Sequence, residues 1–391
     1  MKKLSILLLS FGLLFTSCEN ALDIGSEVAL DANSPLSSDD VDKLLTGAYK
    51  SVMSPNRYPY FNIMASEIIA GDNYQPVKFQ WVQIKYLYER TTPPGDIVLS
   101  YLYRDFYNGI SRANTILKVP TSSNVQKGKA RYVRAISYLR LYDLYEGVPL
   151  VDENYDATPI KASSGQDVLN FIINDLKFAK DNMEPLDLSD ENAQLTPTRE
   201  AAMALLARVY RINGDIQNAA IEAEALIMSG KFNISSNPKN YKSEVILKLA
   251  GNKAEENGSW GWIMSDDAKS WNCFAVSSSL LQLLGANDTR KALFDAPTSN
   301  GFVFSNKYSK SDDSDLLISR IPEMYLISAE AGNTGRLTEL QTIRKSNLSL
   351  DDERRLELSF EWVRWEDLKL KGETYKLPFP QSAMDANELL N

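Results

Sequence analysis

The 391-residue chain carries 42 Lys and Arg against 51 Asp and Glu, a formal charge of −9, and 44% of its residues are hydrophobic. This acidic balance argues against nucleic-acid binding, which needs a basic face for the phosphates. The chain contains no histidine, which excludes His-based catalytic triads and dyads and His-ligated metal sites and leaves paired carboxylates as the main enzymatic option.

The first 17 residues have the composition of an export signal. Two lysines precede a 12-residue apolar run, Leu4 to Phe15, which is too short to span a bilayer. Small residues then lead to Cys18, an arrangement that resembles the lipobox of bacterial lipoproteins, where the cysteine becomes the first mature residue and carries the lipid. We therefore expect residues 1–17 to be a lipoprotein signal peptide and residues 18–37 a lipidated tether. An ordinary secretory signal with a chance cysteine is the alternative.

Amphipathic helices are predicted from there onward. Ser38, Asp39 and Asp40 are residue types that cap helices, and they precede a helix over 41–53. Apolar residues recur every three or four positions in three further segments, which is typical of helices that bury one face; these segments are 101–119, 131–145 and 166–182.

The stretch RYVRAISYLRLYDLYEGVPL, residues 131–150, ends abruptly. Gly147 is expected to supply a left-handed helix end, and Pro149 prevents the helix from continuing. We expect the tyrosines to pack between helices and the arginines to pair with carboxylates of neighbouring helices. The stretch is thus interpreted as scaffold rather than as a site.

The clearest helical pair lies over 197–228. Two segments rich in small apolar residues flank a short turn, Asn213 to Asp215, so the two helices should lie antiparallel and close together. The pair resembles a tetratricopeptide-repeat hairpin, and 131–145 with 166–182 could form a second copy. The helical period fades over about 231–319, which predicts a loop-rich insertion with candidate binding loops. Helix is predicted again over 321–331 and 352–370.

Seven blocks, in this order, resemble the SusD/RagB family of surface lipoproteins of Bacteroidetes. Trp362 departs from the family pattern, which commonly has glycine there. The blocks are ASEIIAGDN (65–73), FYNGISRANTIL (106–117), RYVRAISYLRLYDLYEGVPL (131–150), SEVILKLA (243–250), RIPEMYLISAEA (320–331), ERRLELSFEWVRWEDLKLKG (353–372) and LPFP (377–380).

The resemblance implies a mostly α fold, a tetratricopeptide-repeat-like helical scaffold with long irregular binding loops, in a single domain over 38–391. It implies a lipoprotein anchored in the outer membrane through Cys18, facing the cell exterior. Such a protein binds a nutrient polymer and delivers it to a SusC-like TonB-dependent outer-membrane barrel. The abundance of aromatic residues, 10% of the chain, favours an oligosaccharide or polysaccharide as the ligand.

Sugar rings stack on flat aromatic faces, while their hydroxyls exchange hydrogen bonds with Asn, Asp, Gln and Arg. A glycan site therefore needs exposed Trp or Tyr beside such groups. Two segments fit this description, 71–88 and 257–272. Their candidate ligand-binding residues are Asp72, Asn73, Tyr74 and Trp81 in the first, and Trp260, Trp262 and Trp271 in the second.

Other functions stay open at this point. The ligand could be a peptide, or the chain could be a helical-repeat adaptor that binds only proteins. A glycosidase is disfavoured because Asp266 and Asp267 are adjacent in sequence and cannot face one substrate across a cleft. The acidic run Asp312 to Asp315 lacks the Gly and the final Glu of a calcium loop. We predict no catalytic residues, no metal site and no cofactor.

Overall fold

The computed structural model describes residues 36–53, 61–249, 273–294, 297–308 and 315–391. Within these residues, most of the secondary structure is helical. The helices are α1 (Ser38–Met53), α2 (Phe61–Ala70), α3 (Val82–Glu89), α4 (Ile97–Lys118), α5 (Asn124–Tyr145), α6 (Gly165–Asn182), α7 (Arg199–Ile212), α8 (Ile216–Met228), α9 (Ser278–Leu281), α10 (Ile321–Glu330), α11 (Thr334–Arg344), α12 (Leu350–Glu357), α13 (Arg364–Leu370) and α14 (Gln381–Ala386). The strands are β1 (Tyr74–Pro76), β2 (Val245–Leu249), β3 (Phe274–Val276) and β4 (Leu316–Arg320).

The predicted hairpin of 197–228 is confirmed as α7 and α8. Gly214 adopts a left-handed φ of 77° in the turn, and the Asp215 side chain caps α8 by accepting from the backbone N–H of Asn218. Ala201 and Ala219 are fully buried, which lets the two backbones approach. Helices α5 and α6, which are consecutive in the chain, also pack against each other, as do α10 and α11. The mostly α, tetratricopeptide-repeat-like fold predicted from the sequence is therefore confirmed.

Helix ends differ in detail from the sequence prediction. Helix α1 begins one turn earlier than residue 41, because the hydroxyl of Ser37 accepts the backbone N–H of Asp40 at 3.3 Å. Helix α5 begins at Asn124 rather than at 131, because Ser123 and Gln126 form a reciprocal capping box. Side-chain capping within one turn sets both boundaries.

The end of α5 corrects the role predicted for Gly147. The positive φ belongs to Glu146, at 66°, and not to the glycine. A Cβ atom on Gly147 would lie 2.4 Å from the carbonyl oxygen of Ser163. The glycine is therefore required by a close backbone approach to the segment that precedes α6.

The single helix predicted over 352–370 is wrong, because α12 and α13 are separated by residues 358–363. Phe360 and Trp362 have positive φ values of 68° and 58° and are almost fully buried. The indole N–H of Trp362 donates to the carbonyl of Leu317 at 2.7 Å, and the hydroxyl of Tyr308 donates to the carbonyl of Phe360 at 3.0 Å. Residues distant in sequence thus bond to one backbone carbonyl and one side chain of the break between the helices. The left-handed φ at Trp362 explains why glycine suits this position.

The loop-rich region over 231–319 contributes strands to two small sheets in its described part. Strand β2, predicted from SEVILKLA, pairs antiparallel with β4. Strand β3 pairs antiparallel with β1, so that Tyr74 lies opposite Val276 and Pro76 lies opposite Phe274. Residues 1–35 lie outside the described residues, so the signal peptide, the tether, Cys18 and the domain boundaries stay predictions.

Candidate functional site

The first candidate segment begins where α2 ends. Gly71 turns the chain with a φ of 75°, and Asp72 follows with about a third of its side chain exposed, 32%. The guanidinium of Arg364 on α13 binds this carboxylate, with Nη2 to Oδ2 at 2.5 Å and Nε to both oxygens at 3.0 Å. Such a charge-assisted, forked contact fixes geometry strongly. Asp72 therefore joins the segment to α13 while one edge of its side chain stays exposed.

Asn73 and Tyr74 do not face solvent, contrary to the expectation for a stacking site. Asn73 is 1% exposed, and its amide donates to Glu67 Oε1 at 3.2 Å. Tyr74 is 3% exposed, and its ring packs on Phe274 and Phe360 at centroid distances of 5.0 and 5.3 Å. Strand alternation turns Tyr74 inward and Gln75 outward. Neither buried side chain has a face that a ligand could contact. In this structure both pack in the core beneath the exposed residues of the segment.

Trp81 lies at the surface end of this segment. It immediately precedes α3, has an extended backbone and is partly buried against the core. Gln75, Lys78 and Gln80 are exposed nearby in the chain, and Val82 is 47% exposed. A half-buried indole beside amide and ammonium groups suits a sugar ring, which needs both an apolar face and hydrogen-bonding partners.

The pairing of β1 with β3 brings residues 273–276, which directly follow the second candidate segment in the chain, next to the first segment. The backbone N–H of Val77 donates to the carbonyl of Cys273 at 2.8 Å. Trp260, Trp262 and Trp271 lie outside the described residues, and the segment that carries them joins the described structure at Cys273. The stretch of chain that directly follows the second aromatic segment is thus paired with the first segment at this sheet.

Sequence reasoning missed the aromatic layer beneath this sheet. The Phe274 ring lies 5.7 Å from that of Tyr88 and 6.2 Å from that of Phe79, measured between centroids. Alternating aromatic and polar residues over 79–88 could have indicated a packed platform, but the contribution of Phe274 required knowledge of the strand pairing. This layer holds β1 and α3 in place below the exposed side chains.

A buried carboxyl group lies directly under the site. Glu67 is fully buried, and burial raises its pKa from the ordinary 4.5 to about 7, with the nearby charge of Asp72 acting in the same direction. The Asn73 amide that bonds to Glu67 is adjacent to Asp72 in the chain. The ionisation of Glu67 is therefore coupled to the stability of the loop that carries the site.

The raised pKa of Glu67 predicts that the stability of the wild-type protein falls as pH rises. The unfolded chain ionises this group near its ordinary pKa of 4.5, whereas the folded chain resists ionisation up to about 7, so the stabilisation present at low pH is lost as pH passes through that window. Relative to Glu67→Gln, the wild type should lose about 2 kcal/mol of unfolding free energy between about pH 5.5 and pH 7.5.

Urea denaturation at several pH values measures this difference. Glu89→Gln, at an exposed position on α3, is the matched control and should follow the wild type. Identical pH profiles for Glu67→Gln and wild type would show that Glu67 is ionised like an exposed carboxyl.

Within the described residues, no group of Asp, Glu and Cys has the clustering of a metal site. Nor does any helix there have the length and apolar character needed to cross a bilayer. Most of the acidic run at Asp312 to Asp315 and both Asp266 and Asp267 lie outside the described residues.

Comparison with known proteins identifies the family. Residues 22–211 match the model of a SusD-like family described as starch-binding and associating with the outer membrane. A SusD-like protein of Bacteroides ovatus is 25% identical, with 69% of this chain and 65% of that protein covered. SusD-like protein P38 of Formosa agariphila is also 25% identical, with 61% and 47% covered. The chain thus spans about half to two thirds of the length of these relatives.

Solved structures share the fold over nearly the whole chain. A SusD superfamily protein from Bacteroides thetaiotaomicron superposes with a TM-score of 0.76 at 20% identity, covering 90% of this chain and 94% of that one. A laminarin-binding SusD-like protein superposes with a TM-score of 0.73 at 18% identity, covering 90% and 98%. The family match over residues 22–211, the relatives and the shared fold all support a SusD/RagB family protein.

Proposed function

We propose that this chain is a lipoprotein of the outer membrane that binds a glycan at the cell surface and delivers it to a SusC-like TonB-dependent transporter. The observation that supports the proposal is the surface around Trp81, where a half-buried indole lies in the same segment as the exposed side chains of Gln75 and Gln80 and the exposed edge of Asp72. The family description supports an outer-membrane location and a starch-type ligand. One similar structure is of a laminarin-binding protein, which also supports a glucan.

The proposed binding mode is non-covalent. Trp81 and the tryptophans of 257–272 would stack on sugar rings, while the exposed edge of Asp72 and the polar side chains of Gln75 and Gln80 would bond the hydroxyls. Because Arg364 holds Asp72 before any ligand arrives, little ordering of this carboxylate is needed on binding. We assign no catalytic step to these residues.

Anchoring and delivery complete the proposal. A lipid on Cys18 would tether the domain through residues 18–37, which lets it cover the outer mouth of the barrel and trap ligand there. Repeated weak contacts along a polymer would raise the overall affinity through avidity.

Loss of the Trp81 indole should weaken polysaccharide binding about tenfold, because a stacked ring contributes on the order of 1–1.5 kcal/mol. The soluble mature chain with Cys18→Ser is run by native affinity electrophoresis through gels containing starch, laminarin or other polysaccharides. Retardation by one of them, reduced in Trp81→Ala and in Trp260→Ala, is the expected result.

Tyr325→Ala is the matched control, because this partly exposed ring lies on α10, away from the β1–β3 sheet. It should be retarded like the parent. Retardation that persists in both tryptophan variants would contradict the assignment of the site, and no retardation by any polysaccharide would contradict a glycan ligand.

A protein-binding adaptor is the second candidate. Helix α8 exposes Ile221 (64%) and Met228 (75%), apolar side chains that suit a protein contact. In that case the wild type would retain a membrane partner in pull-downs without being retarded by any polysaccharide. A peptide-binding member of the family would instead bind peptides at the Trp81 surface.

A further inference from the structure

A concave surface is built from residues outside the Trp81 segment and shares no lining residue with it. It is a groove with a volume of about 510 Å³, within the range of roughly 300–1,000 Å³ that is usual for small-molecule sites. Its walls are one face of α4, the segment 149–160 that follows α5, and residues 383–390 at and after α14.

Helix α4 contributes a straight stripe of side chains to this groove. Tyr103, Tyr107, Ser111 and Thr115 are spaced four residues apart and therefore lie one above the other on one face. The stripe begins with two aromatic rings and ends with two hydroxyl groups. Aromatic rings and hydrogen-bonding hydroxyl groups are therefore adjacent along one face of the helix.

The aromatic part of the groove is fixed in position. The rings of Tyr103 and Tyr107 lie 4.7 Å apart between centroids, and the Tyr107 hydroxyl donates to the carbonyl of Pro149 at 2.7 Å. Burial raises the pKa of Tyr103 to about 12, so its hydroxyl stays neutral. Tyr155, 38% exposed, contributes a third ring from the segment 149–160.

Polar groups surround these rings. Asn114 and Asn387 donate through their amides to backbone carbonyls of the segment, at Val151 (3.2 Å) and Ile160 (2.8 Å). Lys118 is exposed at the end of the stripe and forms no ion pair with any other described residue. Amides held in position, the exposed hydroxyl groups of Ser111 and Thr115, whose oxygens can accept hydrogen bonds, and an ammonium group beside aromatic rings are the combination that recognises a sugar.

The chemistry of the backbone argues against a peptide in this groove. An added strand needs free backbone groups at an edge. Here the carbonyl of Pro149 is taken by Tyr107. The N–H of Val151 donates to the Tyr138 hydroxyl at 2.7 Å, and its carbonyl accepts from Asn114. The extended stretch of this wall is therefore already paired, and the opposite wall is helical.

We propose that the groove between α4, residues 149–160 and residues 383–390 is a second sugar-binding site, which takes a mono- or disaccharide unit of a glycan. The rings of Tyr103, Tyr107 and Tyr155 provide the apolar surface, and Ser111, Thr115 and Lys118 provide hydrogen bonds. Two sites on one chain would raise the residence time of a polymer through effective concentration. The proposal goes beyond the function proposed above and does not depend on the Trp81 site.

A bulky residue in the groove tests the proposal. Thr115→Trp should fill it, whereas Thr342→Trp is the matched control. Both threonines are exposed, lie near the end of a helix and donate through their hydroxyls to the carbonyl four residues earlier, at 3.0 Å and 2.7 Å. Both variants are made in a Trp81→Ala background, and their folding is checked by circular dichroism. Saturation-transfer NMR then reports contact with maltose, laminaribiose, cellobiose and N-acetyllactosamine.

The expected result is transfer to at least one disaccharide in the Thr342→Trp protein and its loss in the Thr115→Trp protein. A third variant, Tyr155→Ala, should weaken the same contact roughly three- to tenfold. Equal signals in the Thr115→Trp and Thr342→Trp proteins, or no signal from any of the four probes, would overturn the groove proposal. If only the proposed Trp81 site is wrong, saturation transfer to the disaccharide in the Thr342→Trp protein is unchanged. The two proposals can therefore be refuted separately.

Discussion

Arg320→Met should lower the free energy of unfolding by about 3–5 kcal/mol, because it removes from a buried network a guanidinium that binds three carboxylates, which their remaining cations then neutralise less completely. Arg320 is 3% exposed at the end of β4. Its guanidinium binds Glu244 at 2.5 Å, Glu357 at 3.1 Å and Glu361 at 2.5 Å. Burial by itself lowers the pKa of Arg320, but these three carboxylates raise it well above its ordinary value. The charge of Arg320 therefore stabilises three acidic groups at once.

This residue is the centre of a larger buried network. Arg344 on α11 binds Glu244 and Glu357 at 2.9 and 2.8 Å, and Lys307 binds Glu361. The network joins the loop-rich region to α11 and α12. Methionine retains much of the side-chain volume of arginine, so the substitution removes charge and hydrogen bonds more than it removes packing.

Chemical denaturation followed by circular dichroism measures the change. Lys85→Met is the control, because Lys85 (48% exposed) and its partner Glu89 (45%) both lie at the surface, so loss of this pair should cost less than about 1 kcal/mol. The double variant Arg320→Met/Glu361→Gln should be more stable than Arg320→Met alone. A change below about 1 kcal/mol in Arg320→Met would show that the network contributes little to stability.

The helical part of the fold was predictable because its signals are local. Periodic apolar positions and the Gly-containing turn identified α7 and α8, whose partners are consecutive in the chain. The break between α12 and α13 was not predictable in this way. It depends on two hydrogen bonds between residues more than 40 positions apart. The carbonyl of Leu317 accepts from the indole N–H of Trp362, and the hydroxyl of Tyr308 donates to the carbonyl of Phe360.

The candidate site was predictable only in outline for the same reason. The aromatic and polar composition of 71–88 identified the segment, and Trp81 is placed at the surface end of it. Which neighbours face inward was set by the pairing of β1 with β3, and this pairing buries Tyr74 against Phe274. The second groove had a local signal in the four-residue spacing along α4, but its other walls come from residues 149–160 and 383–390.

Gly147→Ala should lower the free energy of unfolding by about 3 kcal/mol, at the upper end of the usual cost of overpacking. The added Cβ would lie 2.4 Å from the Ser163 carbonyl oxygen, a backbone atom that no rotamer change can move. A backbone hydrogen bond already joins the two segments here, because the N–H of Ser163 donates to the carbonyl of Val148 at 3.0 Å. Relief of the clash must therefore displace backbone.

Thermal and urea denaturation of Gly147→Ala measure this cost against Gly285→Ala, where a Cβ meets nothing within 4 Å and the change should stay within about 0.5 kcal/mol. A Gly147→Ala protein as stable as Gly285→Ala would show that the approach to Ser163 is loose.

The backbone displacement in Gly147→Ala also has a functional consequence. Gly147 and Ser163 flank the segment that carries Pro149 and Tyr155, two residues of the α4 groove. Under conditions where Gly147→Ala is folded, it should lose disaccharide contact in the groove and keep polysaccharide retardation through Trp81, because the backbone of this segment defines one site and not the other.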